Sequence, residues 1–208
     1  MQYCVAGNEI LVPFSSEPGK AWIKEKVEAH RGKIAEVLDV GAGSGTYVKL
    51  LRNSVLPDSY FTAIEVWEPY VEQFRLGDLY DEVRVGNGLE VLSQITYDLA
   101  IFGDVLEHVS QADAISMVER FRWRYAVLSL PVMEYPQGAY MGNPHEAHVA
   151  TWTAEEVRAV WGDLIRAEAI FAYEEIQEAI GVFWLERGKV ERTTKAHGIP
   201  AHLEQGDR

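Results

Sequence analysis

A glycine-rich segment, residues 37–45, is the part of this sequence whose residue types and spacing best suit ligand chemistry. An apolar run ends there in a carboxylate and continues through alternate glycines. Glycine lets a backbone approach a ligand closely, and the N–H groups at the start of a helix favour negatively charged or polar ligand groups. The segment predicts a ligand-binding turn between a strand and a helix. Its candidate binding residues are Asp39, Gly41, Ala42, Gly43 and Gly45.

The spacing of the glycines indicates which ligand this turn binds. A dinucleotide-binding turn has the pattern G-x-G-x-x-G. This turn has G-x-G-x-G, and Thr46 stands where the third dinucleotide glycine would be, which argues against a dehydrogenase. With Asp39 ahead of the glycines, the segment resembles the first motif of the class I S-adenosylmethionine (SAM)-dependent methyltransferases. The resemblance implies SAM as the cofactor.

Two later positions extend the resemblance toward the adenosine part of the cofactor. Glu65, followed by Val66, closes the predicted second strand twenty residues after Gly45. A carboxylate there can accept hydrogen bonds from both ribose hydroxyls. Asn87 and Gly88 follow the third strand, where the family usually has an Asp that accepts from the adenine amino group. Asn87 departs from that pattern, so it either accepts the same bond through its amide oxygen or simply forms a turn.

The segment Gly-Asp-Val-Leu-Glu-His, residues 103–108, follows the predicted fourth strand. It resembles the D-x-L-E-H segment that is common in bacterial small-molecule methyltransferases of this family. Asp104 stands at the carboxyl edge of that strand, where open α/β sheets bind ligands. We therefore expect Asp104 to contact the methionine end of the cofactor or the methyl acceptor, in a binding or catalytic role.

The histidines are the candidate general bases. Methyl transfer from a sulfonium releases a neutral thioether, so the protein chiefly aligns the acceptor, and only a hydroxyl acceptor gains from a base. His108, His145 and His148 are the candidates, although backbone contacts at a helix start would also account for His108. His145 and His148 with Glu146 also suggest a metal site. Two His three residues apart on a loop have no assured third ligand, so we expect no metal.

Apolar runs alternate with stretches of helical period along the chain, which predicts an α/β fold. The resemblance implies a Rossmann-like, doubly wound, mostly parallel seven-stranded sheet with an antiparallel C-terminal strand pair. The predicted strands are residues 34–40, 60–66, 82–85, 98–102, 125–130, 166–173 and 179–186. The predicted helices are near residues 16–32, 46–53, 69–77, 89–95, 110–121 and 153–164. Capping boxes are predicted for Ser110 with Asp113 and for Thr153 with Glu156. Residues 131–150 show neither period and predict a long, functional loop.

Size and charge narrow the class of protein further. The 208 residues suit one domain, which we place at residues 1–187 with a polar tail at 188–208. There is no secretory signal or long apolar run, so we expect a cytoplasmic protein without membrane contact. The formal charge of −13 disfavours a nucleic-acid partner. The basic residues at 120–124 are interpreted as a helix end, and no pattern indicates an oligomeric state.

The sequence thus predicts transfer of a methyl group from SAM to an oxygen or nitrogen atom of a small molecule. One alternative is a binding or regulatory module that keeps the fold without catalysis. Protein or nucleic-acid methylation is a weaker alternative, because an amino-methylating DNA enzyme would have Asn or Asp before Pro-Pro and an aromatic residue where this chain has residues 104–107. Four aromatic residues could line an acceptor pocket or pack in the core: Phe14, Tyr135, Tyr140 and Trp152.

Overall fold

The computed structural model describes residues 19–91, 95–140, 142–173 and 178–188. Seven strands form one sheet: β1 Glu36–Val40, β2 Tyr60–Glu65, β3 Glu82–Val85, β4 Thr96–Gly103, β5 Arg122–Pro131, β6 Ile165–Tyr173 and β7 Glu178–Glu186. Their order is β3-β2-β1-β4-β5-β7-β6. The first five strands are parallel, and β7 pairs antiparallel with both β5 and β6. The predicted fold class is therefore confirmed.

Helices cover both faces of the sheet. They are α1 Lys20–His30, α2 Thr46–Arg52, α3 Glu68–Gln73, α4 Leu76–Leu79, α5 Gln111–Arg120 and α6 Ala154–Trp161. One core contains apolar residues of α1, α2 and α4, and the other contains those of α5 and α6. Alternate residues of β4 enter the two cores, Leu99 on one side and Ala100 on the other. Every residue of β4 is buried for this reason, which explains its nearly continuous apolar character.

Side-chain caps mark the starts of α5 and α6, and of the two predicted capping boxes the one at Thr153 has both of its bonds while Ser110 has one. The Ser110 hydroxyl accepts from the Asp113 N–H at 3.1 Å. The Thr153 hydroxyl accepts from the Glu156 N–H at 3.2 Å, while the Glu156 carboxylate accepts from the Thr153 N–H at 2.7 Å. These bonds satisfy N–H groups that have no partner within the helix. The cap at Thr153 orients the chain where it enters α6 from the loop after β5.

Two local predictions were wrong. The predicted helix at 69–77 does not run unbroken to a stop at Gly77, because α3 ends at Gln73 and Gly77 lies inside the short α4. The break falls at Arg75, whose φ of +52° leaves the right-handed helical region. The basic residues at 120–124 are only partly a helix end: Arg122 and Arg124 belong to β5, because the backbone is already extended at Phe121.

Some predictions fall partly outside the described residues. These are the start of the first helix before residue 19, the middle of the predicted helix at 89–95, and nearly all of the tail at 188–208. The described residues of 89–95 are not helical, which contradicts that prediction at both of its ends. Among the helices that the structure describes, none is both long enough and apolar enough to cross a membrane.

Candidate active site

The sequence-predicted ligand residues converge on one edge of the sheet. The chain leaves β1 through α2 on one face and leaves β4 through α5 on the other face. Because β1 and β4 are neighbours, a crevice opens between these connections at the carboxyl ends of the strands. The glycine turn follows β1, Glu65 ends β2, Asn87 follows β3 and Asp104 follows β4.

The glycines of the turn after β1 have different roles. Gly43 has a φ of +51°, and a Cβ built there would have only the Gly41 carbonyl oxygen, 3.9 Å away, within 4 Å. Gly45 has a φ of +76°, and a Cβ there would lie 2.8 Å from Leu79 Cδ1. Both backbones need glycine for their left-handed conformation. The packing of the protein itself excludes a side chain at Gly45, whereas Gly43 faces space that a ligand can use.

Glu65 is joined to this turn by a direct hydrogen bond. Its Oε2 accepts from the Gly43 N–H at 2.8 Å, and its Oε1 accepts from the Trp67 N–H at 2.8 Å. The residue is only 3% exposed, and burial raises the pKa of its carboxyl while these backbone bonds oppose the rise. A carboxylate oxygen has more than one acceptor site, so both oxygens can also accept from ligand hydroxyls. Val66, beside it, is half-buried.

Asp39 lies inside β1, two residues before the turn. It is buried, and the Tyr80 hydroxyl donates to its Oδ2 at 2.6 Å. Burial raises the pKa of Asp39 to about 7, against the opposing effects of the Tyr80 bond and the positive charge of Lys20; the negative charge of Glu65 raises it further. Asp39 therefore shares its surroundings with Lys20 and Glu65, within reach of their charges.

Lys20 is a site residue that the sequence analysis missed. It is 4% exposed, and its Nζ lies 3.8 Å from Asp104 Oδ2 and donates to the Tyr47 hydroxyl at 3.3 Å. The ammonium also lies 4.4 Å from the centre of the Tyr47 ring. Lys20 shares a helix face with Ile23 and Val27, three and seven residues later, and this spacing was the available signal.

Asp104 has a left-handed backbone, with φ at +53°. Its N–H donates to the Ser129 carbonyl at 2.7 Å, which ties the end of β4 to β5. Such a conformation is uncommon outside glycine and costs about 1–3 kcal/mol, so surrounding structure must enforce it. Strained residues of this kind concentrate in functional sites.

Asn87 forms a local turn. Its Oδ1 accepts from the Leu89 N–H at 2.8 Å, and the Gly86 N–H donates to the Glu65 carbonyl at 2.8 Å. Gly88 is buried, and a Cβ there would lie 3.2 Å from Val40 Cγ1 and from Met117 Sδ. Asn87 therefore forms a turn, as one of the two interpretations predicted. The second acceptor site of its Oδ1 is the one that a ligand could use.

The loop between β5 and α6 is attached to the short 3-10 turn Leu106–His108 that follows β4. The N–H groups of Val149 and Ala150 donate to the Glu107 carbonyl at 2.7 and 3.0 Å. This attachment brings the rings of His108 and His148 to a centroid distance of 4.9 Å. His145 is exposed and lies instead near Trp67, with ring centroids 6.1 Å apart. Two of the three candidate bases therefore meet, and the third lies elsewhere.

Glu107 is the second site residue without a role in the sequence analysis, although it belongs to the D-x-L-E-H segment. Burial raises the pKa of Glu107 well above its usual range, and the charges of Asp104 and Glu146 add to the rise. Burial lowers the pKa of His108, against the effect of backbone carbonyls. Burial and the neighbouring His108 lower the pKa of His148.

The aromatic candidates divide between core and loop. Trp152 is buried and stacks on Trp161 at 5.6 Å, so core packing accounts for it. The Tyr135 ring lies 5.4 Å from that of His148, beside the histidine pair. Tyr140 pairs with Asn143 through its backbone, and Phe14 lies outside the described residues.

Neither a family model nor a curated protein matches this chain. Solved structures do resemble it. The N-terminal domain of EvdMO1 with SAH bound has a TM-score of 0.61 at 13% identity, over 84% of this chain and 83% of that one.

Two further similar structures also contain S-adenosylhomocysteine. The 1,6-didemethyltoxoflavin-N1-methyltransferase of Burkholderia thailandensis, with 1,6-didemethyltoxoflavin also bound, has a TM-score of 0.58 at 16% identity, over 84% of this chain and 80% of that one. The N-methyltransferase NodS of Bradyrhizobium japonicum WM9 has a TM-score of 0.59 at 12% identity, over 83% of this chain and 88% of that one. At these identities the likeness establishes the fold, which is the Rossmann-like fold of SAM-dependent methyltransferases.

Proposed function

We propose that this protein is a SAM-dependent methyltransferase that acts on a small molecule. The observation that carries the proposal is the hydrogen bond between Gly43 and Glu65 at the crevice between β1 and β4. It joins a left-handed glycine that faces open space to a buried carboxylate with acceptor sites to spare. Similar folds hold the demethylated cofactor, which supports the same ligand here.

The residues of the crevice fit the chemical groups of SAM. Glu65 can accept from the two ribose hydroxyls, and the turn at Asn87 adjoins it through the Gly86 bond to β2. Asp104 and Lys20 offer a carboxylate and an ammonium side by side, which match the amino and carboxyl groups of the methionine end. When bound, SAM supplies an electrophilic methyl group on a positively charged sulfur. The protein residues then hold the acceptor in line with that methyl group and exclude water.

The acceptor side is formed by the end of β4 and the loop after β5. Asp104, His108 and His148 are its candidate polar groups, and a hydroxyl acceptor would lose its proton to one of them. Carboxylates surround this region, since Glu107 and Glu146 also lie within reach of one another's charge. Carboxyl groups in such surroundings can accept hydrogen bonds, which favours a small acceptor with hydroxyl or amino groups. The similar methyltransferase that binds 1,6-didemethyltoxoflavin supports a small molecule as well.

The decisive experiment compares two glycine variants by calorimetry with S-adenosylhomocysteine. Gly43→Val has room for its Cβ, which would meet only the Gly41 carbonyl oxygen at 3.9 Å, but it strains the left-handed backbone, so circular dichroism first checks its fold. The folded variant should lose binding because that space belongs to the ligand. Gly32→Val is the control for a Val side chain at an open position: a Cβ at Gly32 would have nothing within 4 Å, the residue lies in the 3-10 turn Arg31–Lys33 after α1, and the variant should bind normally.

Unchanged affinity in a folded Gly43→Val protein, or tighter binding of NAD than of S-adenosylhomocysteine, would refute the proposal. Assays of the wild type with SAM and a panel of hydroxyl and amine metabolites then test turnover. Cofactor binding without methylated product across that panel would identify a binding module in place of an enzyme.

A further inference from the structure

Three side chains at the acceptor side form a compact group of potential metal ligands. Glu107, His108 and His148 each offer one ligand atom, and these atoms all lie within 4.8 Å of one another. We call this group the Glu-His-His cluster. Two members belong to the 3-10 turn after β4, and the third comes from the loop after β5. The cluster gives His148 two partner ligands from outside its own loop, and it does not include His145.

The carboxyl group of Glu107 lacks a partner that its burial requires. Glu107 is 2% exposed, and its Oε2 has no hydrogen-bond partner in the described part of the chain. Burying an unpaired polar oxygen costs free energy, and nearly all such atoms in proteins are satisfied. The charges of Asp104 and Glu146 make an ionised Glu107 still more costly. A bound cation would satisfy this oxygen and offset the repulsion.

Both histidine rings are held as metal-binding histidines usually are. The Nδ1 of His148 lies 2.6 Å from the Tyr135 carbonyl oxygen, and the Nδ1 of His108 lies 3.2 Å from the Ala147 carbonyl oxygen. A carbonyl oxygen only accepts, so a neutral ring whose Nδ1 donates this bond keeps a lone pair on its Nε2. The backbone of Asp104 and Glu146 also lies near the His108 ring. A backbone carbonyl on one ring nitrogen, with the other nitrogen left to bind, is the usual support of a metal-ligating histidine.

We propose that the Glu-His-His cluster binds a divalent transition-metal ion, with Zn²⁺ the best match. Two imidazoles and one carboxylate are a ligand set of catalytic zinc sites, whereas Mg²⁺ and Ca²⁺ prefer oxygen ligands alone. Three protein ligands leave a coordination position open. The metal binding stands on this geometry by itself. Its consequence rests on the proposed function: the open position would bind an acceptor oxygen and lower the pKa of its hydroxyl.

The test is calorimetry of Zn²⁺ alone with the full chain after treatment with a chelator, with Co²⁺ absorption as a second readout. The wild type should bind one ion in the cluster, and Co²⁺ there should give the visible spectrum of mixed nitrogen and oxygen ligands. Glu107→Gln and His148→Ala should each weaken Zn²⁺ binding at least about tenfold. His145→Ala is the matched control, since His145 is exposed and outside the cluster, and it should bind as the wild type does.

Two results would overturn the proposal. One is a wild type that binds no Zn²⁺, and the other is equal binding by the wild type and His148→Ala. His148 is half-buried, so this variant keeps the test valid if Glu107→Gln fails to fold. Binding of S-adenosylhomocysteine is measured on the same samples. Cofactor binding without Zn²⁺ binding refutes only the metal site, and Zn²⁺ binding without cofactor binding refutes only the proposed function.

Discussion

Replacing Asp39 with Asn should change how the stability of this protein depends on pH. Asp39 is buried in β1, and burial raises its pKa from 3.8 to about 7. The charged groups that face it are Lys20 and Glu65, and Tyr80 donates a hydrogen bond to it. An Asn side chain has nearly the same shape and can accept the Tyr80 bond through its own oxygen. The substitution therefore removes the titration and leaves the packing in place.

The direction and size of the effect follow from the raised pKa. Between pH 3.8 and about 7 the folded chain keeps the Asp39 proton that the unfolded chain has released, so stability falls as the pH rises through this range. A difference of about three pKa units corresponds to about 4 kcal/mol. The stability that protonated Asp39 provides is thus complete below the unfolded pKa and lost above about pH 7. Relative to wild type, Asp39→Asn should gain up to about 4 kcal/mol between pH 4 and pH 8.

Urea unfolding of both proteins across this pH range measures the difference in free energy directly. Tyr80→Phe is the companion variant, because it removes the hydrogen bond that lowers the pKa of Asp39. In Tyr80→Phe the pKa of Asp39 should rise further, so the fall in stability with rising pH should continue to a higher pH than in the wild type. Parallel pH profiles for wild type and Asp39→Asn would show that Asp39 is ionised throughout and would refute the reasoning from burial.

Two further predictions concern the cofactor side and the loop. Glu65→Ala should weaken S-adenosylhomocysteine binding by roughly 1–3 kcal/mol, the usual cost of a lost hydrogen bond to a charged group, and calorimetry measures it; unchanged affinity would remove Glu65 from the site. Residues 131–150 should act as a lid over the acceptor, so their backbone amides should exchange with deuterium more slowly when the cofactor and acceptor are bound. Equal exchange rates with and without ligand would leave this loop as a fixed wall of the site.

The sequence alone determined the order of the seven strands along the chain and the position of the glycine turn. These features depend on local physics: apolar periodicity, left-handed glycines and capping boxes act over a few residues. The caps at Ser110 and Thr153 are examples, because each bond spans only three residues. Even locally the prediction failed at Gly77, since the backbone of Arg75 interrupts the helix first.

Only the tertiary structure decided which chemical groups meet. His148 lies 41 positions after Glu107, and no periodic pattern relates the two. They come together because the backbone N–H groups of Val149 and Ala150, in the loop after β5, donate to the Glu107 carbonyl in the turn after β4. Lys20 likewise reaches Asp104 across 84 positions, because α1 packs on the same face of the sheet as α2. The free energy of such contacts comes from burial and from charges on segments that are distant in the sequence. These segments become neighbours only when the sheet assembles and its helices pack on it.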